Sequence, residues 1–114
     1  MLIFKIAPSS LWRDAEISGS FKGAPVDLND GFIHFSTADQ VRETAAKHFA
    51  GQTELLLIAF DTEALGEALK WETSRGGALF PHLYRTLTPS EALWARPLPL
   101  GEDGAHVFPD LSGD

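Results

Sequence analysis

Apolar positions fall along the chain in three kinds of pattern. Residues 2–7 are apolar except for Lys5 and stop at Pro8, which predicts a strand. Residues 55–60 form an unbroken run, Leu-Leu-Leu-Ile-Ala-Phe, bounded by Glu54 and Asp61. Such a run suits a central strand covered on both faces. Between them, Ala38, Val41, Ala45, His48 and Phe49 recur at helical spacing and predict a helix over residues 38–50. Glu43 and Lys47 stand i, i+4 on its other side, and Gly51 suits the position just past its end. A charged His48 in the last turn favours the helix dipole, so a structural role is expected for it.

Weaker patterns fill the rest. Ser9 or Ser10 is expected to cap a short helix running through Glu16, with Leu11, Trp12 and Ala15 inward. The glycine-rich stretch over residues 19–25 predicts a loop anchored by Phe21, and residues 26–31 lead into the next element. Residues 32–35 suit a strand with Phe32 and His34 on one face and Ile33 and Phe35 on the other. Thr37 then takes the N-cap position, with Gln40 as its capping-box partner. Residues 62–66 predict a turn or short helix. Leu69 and Trp71 alternate with Lys70 and Glu72 in a strand over residues 68–73, followed by a glycine loop over 75–78. Pro81 lacks a donor and predicts an edge or irregular piece over residues 80–84. Thr88-Pro89-Ser90-Glu91 has the form of a capped single turn. Residues 92–98 and 105–108 predict two further strands, and residues 109–114 a frayed end. The sum is a single α+β domain over residues 1–114: a bent, mixed but mostly antiparallel sheet with one main helix.

Composition narrows the function classes. There is no cysteine, so disulfides, thiolate metal sites and cysteine nucleophiles are absent. No apolar run reaches the ~18 residues of a spanning helix, and the first residues are charged too soon for a signal peptide, so a cytoplasmic protein with no membrane contact is expected. The net charge of −7 disfavours a long nucleic acid as partner. Against that background Lys70, Arg75 and Arg85, with only Glu72 opposing them, make a locally positive stretch.

Two segments carry candidate chemistry. In Asp30-Gly31-Phe32-Ile33-His34-Phe35-Ser36-Thr37, a turn and short strand run into a helix start. His34, Ser36 and Thr37 therefore stand where free backbone N–H groups and the positive end of a helix dipole favour an anionic or polar ligand. The second segment supplies Glu72, Ser74, Arg75, His82, Tyr84 and Arg85 beside a glycine loop. Glu72 is the candidate acid, base or electrostatic stabiliser. Each of these residues also has an ordinary structural reading: a solvent-facing glutamate, a core histidine, helix caps, aromatic packing at a sheet edge. A metal site is not expected, since only His34 and His82 pair up and neither sits in a ligand spacing. The chain has no Gly-x-Ser-x-Gly elbow, P-loop or dinucleotide fingerprint. The order of elements predicts that the two segments meet. His34, Glu72, His82 and Tyr84 should line one concave pocket, with Arg75 or Arg85 at its rim.

Gly31 to Thr37 followed by a helix, then Leu-Lys-Trp-Glu over residues 69–72, then Phe-Pro-His-Leu-Tyr-Arg over 80–85, resembles the bacterial family catalogued as domain of unknown function 952. The resemblance spans nearly the whole chain. It implies an ADP-ribosyltransferase-like fold, with NAD bound in a cleft between two small sheets. On that pattern Lys5 takes the first-strand position usually held by Arg or His. The segment from His34 to Thr37 takes the second motif, and Glu72 takes the late catalytic glutamate. RNA 2′-phosphotransferases share that fold and use basic residues, for which Arg75 and Arg85 would serve. The expected function is therefore a small nucleotide-binding or NAD-type enzyme, possessing an ADP-ribosyl-transfer-related activity. In it His34, Glu72 and His82 are catalytic, and Lys5, Ser36, Thr37, Arg75, Tyr84 and Arg85 bind. The alternative is a non-catalytic module recognising a small anion or a peptide end.

Overall fold

A computed structural model describes residues 1–111; the side chain of Arg75 lies outside the description. Two antiparallel sheets form the frame. The larger is built on β1 (Leu2–Pro8) and β4 (Leu55–Asp61), paired along their whole length from Leu2–Asp61 to Pro8–Leu55. A short strand, β3 (Ser36–Thr37), flanks β1, and β7 (Trp94–Pro97) flanks β4, giving the order β3-β1-β4-β7. The smaller sheet has the order β2-β6-β5, from β2 (Ile33–His34), β5 (Leu69–Thr73) and β6 (Leu79–Leu83).

The unbroken run in β4 is interior, as its composition requires. Ile58 and Phe60 join Ile3, Ala7, Trp12 and Phe21 in one core, while Leu55, Leu57 and Ala59 join Phe4, Val41 and Ala45 in another. The first core is covered by α1 (Ser9–Ser18) and by the inner face of the small sheet through Ile33 and Leu83. The second is covered by α3 (Ala38–His48) through Ala38, Val41 and Ala45, with Phe49 just beyond; His48, expected on the same face, is exposed and lines the cleft described below. Gln40 Oε1 accepts the Thr37 N–H at 3.0 Å, as a capping box requires. No helix among the described residues is long and apolar enough to cross a membrane.

Several expectations change. There is no single main helix: α1 has 10 residues and α3 has 11, and residues 26–31 are not a lead-in but most of α2 (Pro25–Asp30). Ser9 and Ser10 do not cap α1; they lie inside its first turn, because Pro8 with its fixed φ of −56° stands at the N-cap. Residues 80–84 are not an edge. Most of them form β6, the middle strand of the small sheet. Pro81 is tolerated there because its missing N–H falls on the β2 side, where Phe35 N–H donates to Pro81 O and β2 pairing ends. Residues 105–108 make no strand, only the bridge between Leu100 and His106. The end expected to fray is held in part, since Phe108 and Leu111 pack on the second core; residues 112–114 lie outside the described residues. The turn of residues 62–66 appears as α4 (Thr62–Leu65).

Candidate functional site

The chain passes from one sheet to the other within five residues, β2 pairing with β6 and β3 with β1. The sheets separate at that crossing. A cleft of about 560 Å³ opens there, bounded by the β1 edge at Lys5 and Ile6, the start of α2, the end of α3, and His34 and His82 of the small sheet. Phe4, Pro25, Phe49 and Phe80 give it apolar walls, and Ser36, Ser74 and Asp30 add polar groups.

His34 and His82 are direct cross-strand partners on one face, their ring centroids 5.4 Å apart. Phe32 packs between them and Tyr84. It stacks on His82 at 4.1 Å and lies 4.5 Å from His34 and 5.3 Å from Tyr84. Alternation along β5 and β6 brings Glu72 onto this face. Glu72 Oε1 lies 2.8 Å from His82 Nδ1 and accepts the Tyr84 hydroxyl at 2.6 Å. These two bonds hold the Glu72 carboxyl below its usual range, the tyrosine contributing most, and the same carboxylate raises the Tyr84 phenol. A carboxylate only accepts, so the network assigns the proton to His82 Nδ1. The other nitrogen, Nε2, makes no hydrogen bond among the described residues, and the residue lines the cleft. It is the one open position of a ring that is otherwise 93% buried by its 7% side-chain exposure.

A second polar cluster lies beside the first, behind His34 and Lys5. Asp27 of α2 is buried, and its carboxylate accepts from four donors. Lys5 Nζ lies 3.0 Å from Oδ1 and 2.8 Å from Oδ2. His34 Nδ1 lies 2.7 Å from Oδ1, the His34 N–H donates to Oδ1 at 3.0 Å, and the Ala24 N–H donates to Oδ2 at 2.7 Å. Burial pushes the Asp27 carboxyl up, but the bonds from His34 and the charge of Lys5 outweigh it and hold it at about 2. Burial pushes the Lys5 ammonium down against the pull of Asp27. Gly23 makes room for this carboxylate: its φ is +121°, and a Cβ there would stand 2.6 Å from the Asp27 Cβ. His34 Nε2 lies 3.0 Å from Asp30 Oδ2, so both its ring nitrogens face carboxylates.

The two predicted segments therefore do meet, through His34 and His82, and Ser36 also lines the cleft, its hydroxyl 2.9 Å from that of Thr44. Other placements differ from expectation. Glu72 and Tyr84 stand behind His82 and do not line the cleft, because β5 is the strand farther from the sheet crossing. Thr37 is the N-cap residue of α3, bonded there through its backbone N–H and not its side chain. Lys5 lines the cleft with its ammonium already bonded to Asp27. Arg85 is not at the rim. Its guanidinium is held by Glu91 at 2.7 and 3.0 Å and by Leu65 O at 3.3 Å, because the turn over residues 89–91 folds back on it. That pairing raises Arg85 and lowers Glu91. Sequence reasoning missed Asp27. The available signal was an acidic residue at the third position of a Pro-initiated turn, and this signals a helix start and not a buried hub.

Residues 6–95 match a family model described as a protein of unknown function, DUF952. The X-ray structure of protein CC0527 from Caulobacter crescentus is 52% identical, covers 94% of each chain and has a TM-score of 0.90. The solution NMR structure of CC0527 is 54% identical over 91% of this chain and 90% of that one, with a TM-score of 0.83. No curated protein matches. None of these descriptions names an activity or an ADP-ribosyltransferase-like fold. With four-fifths of its length inside the family model and a half-identical relative sharing its fold, the chain belongs to the DUF952 family.

Proposed function

We propose that the cleft binds a small nucleotide-like ligand and that His82 Nε2 exchanges a proton with it. The observation that carries this reading is the open Nε2 of a buried histidine whose other nitrogen is fixed by Glu72. A fixed tautomer with one free lone pair beside a cleft is the arrangement a general base needs. Phe49, Pro25 and Phe4 suit a flat ring, while Ser36 and His82 suit a sugar.

Within that class, NAD as substrate and an ADP-ribosyl-transfer-related reaction on an ADP-ribosyltransferase-like fold are the specific version. The glycosidic C–N bond of NAD would break, nicotinamide leaving with the electron pair. An acceptor oxygen would attack the ribose carbon and pass its proton to His82 Nε2. Glu72 is then a positioning residue that also stabilises the charged ring. The cleft fits the base and ribose better than the diphosphate: Lys5, its one lysine, is already paired, and no arginine lines it among the described residues.

That same charge balance favours a second reading, a non-catalytic module for a small ligand or peptide end. Calorimetry and thermal shift with NAD, NADH and ADP-ribose at millimolar concentration separate the two. Binding that weakens in His82→Ala, with release of nicotinamide, supports the enzyme. Binding without turnover supports the module, and no heat or shift with any of the three removes the nucleotide reading.

A further inference from the structure

The small sheet ends in an open strand. β5 pairs with β6 on one side and, among the described residues, with no strand on the other in the order β2-β6-β5. Tyr84 N–H donates to Ala68 O and Ser74 N–H to Ala78 O, which fixes the parity of the ladder. Even-numbered residues of β5 bond to β6, so Trp71 and Thr73 turn their N–H and C=O groups outward and Leu69 its C=O, while the Leu69 N–H donates to Gly66 O. Such an edge is a template for another strand, and proteins usually blunt it. The edge strand β7 carries Pro97, with Pro99 just beyond, and β2 and β3 are only two residues long. β5 has five residues with neither proline nor glycine. Trp71 is 39% exposed and Leu79, on the same face one strand inward, is 53% exposed.

The sequence of this edge says what fits it. Leu69-Lys70-Trp71-Glu72-Thr73 is complementary to itself about Trp71. An antiparallel two-fold pairing centred there sets Lys70 opposite Glu72 of the partner subunit, and Glu72 opposite the partner's Lys70. Trp71 meets the partner's Trp71, and the Trp71 and Thr73 N–H groups donate to the carbonyls of the partner's Trp71 and the partner's Leu69. Centring the pairing one residue either way would oppose lysine with lysine or glutamate with glutamate, and like charges directly opposite are unfavourable.

We propose that β5 is a self-recognition edge, joining two copies of this chain through their small sheets into one six-stranded sheet. The contact is isologous, as closed two-fold assemblies require. It places the partner's Lys70 on the face that carries Glu72, His82 and Tyr84. Within one chain Lys70 already pulls the Glu72 carboxyl down. The proposal is independent of any ligand.

Sedimentation of the full chain from micromolar to millimolar concentration tests it. The wild type should show twice the chain mass. Lys70→Glu and Glu72→Lys, each alone, should sediment as monomers, because each sets like charges across the two-fold. Mixed, they should return to dimer, since every opposed pair is then unlike. Thr73→Pro removes only an outward N–H, leaves the β5–β6 ladder intact and should also be monomeric. A monomeric wild type throughout, a Thr73→Pro dimer, or two charge variants that stay monomeric when mixed would each overturn the proposal.

Discussion

Two histidine–carboxylate pairs stand side by side at the cleft, their rings 5.4 Å apart, and they differ in what is left over. In the pair His34–Asp27 every polar atom is used: Asp27 is saturated by Lys5, His34 and two backbone N–H groups, and His34 Nε2 meets Asp30. In the pair His82–Glu72, one ring nitrogen stays open and the carboxylate is 41% exposed. A buried network with all members satisfied fixes a fold, because any change strands a charge. A partly open one keeps a group able to exchange protons. The first pair therefore anchors α2 and the sheet crossing, and the second is where we propose that chemistry takes place.

The largest effect expected from this contrast is on stability. Asp27→Ala leaves the Lys5 ammonium buried and unpaired and should cost about 3–5 kcal/mol, read by chemical denaturation. Next comes acid. The Asp27 carboxyl is lower folded than its ordinary value of 3.8, so between that value and about 2 the unfolded chain binds the extra proton. Stability is thus fully present above the unfolded value and is lost as pH falls towards 2, by about 2 kcal/mol from this group. Asp27→Asn should flatten that part of the pH profile. Glu72→Gln should move the melting temperature far less than Asp27→Ala while releasing the His82 tautomer, and so reduce any activity of the cleft. The smallest effect is that of Tyr84→Phe. It should leave stability near wild type and raise the Glu72 carboxyl towards its usual range, visible by carboxyl NMR titration. If Glu72→Gln proved as costly to the fold as Asp27→Ala, the contrast would fail.

The same contrast explains what could be read from the residues alone. β1, β4 and α3 were legible because their periodicity is local: an unbroken run, and apolar positions at helical spacing beside a capping box. The meeting of His34 and His82 followed from element order and lengths, with His34–His82 then fixed as a cross-strand pair. Asp27 was not legible, since its partners lie 22 and 7 residues away and only the sheet crossing brings them together. Pro81 misled because a missing donor matters only on the side that needs one, and that side depends on ladder parity. Arg85 looked available because its charge is visible in the sequence, while the turn that folds Glu91 onto it is a tertiary fact.

The most direct test of the central claim is NMR of the imidazole nitrogens, followed as ADP-ribose or NAD is added. The account predicts His82 with its proton on Nδ1 and a bare Nε2 that shifts to saturation with ligand, while the His34 nitrogens stay still; in Glu72→Gln the His82 response should weaken. Nitrogens of His82 that ignore every ligand, or a proton found on Nε2 in the free protein, would contradict it.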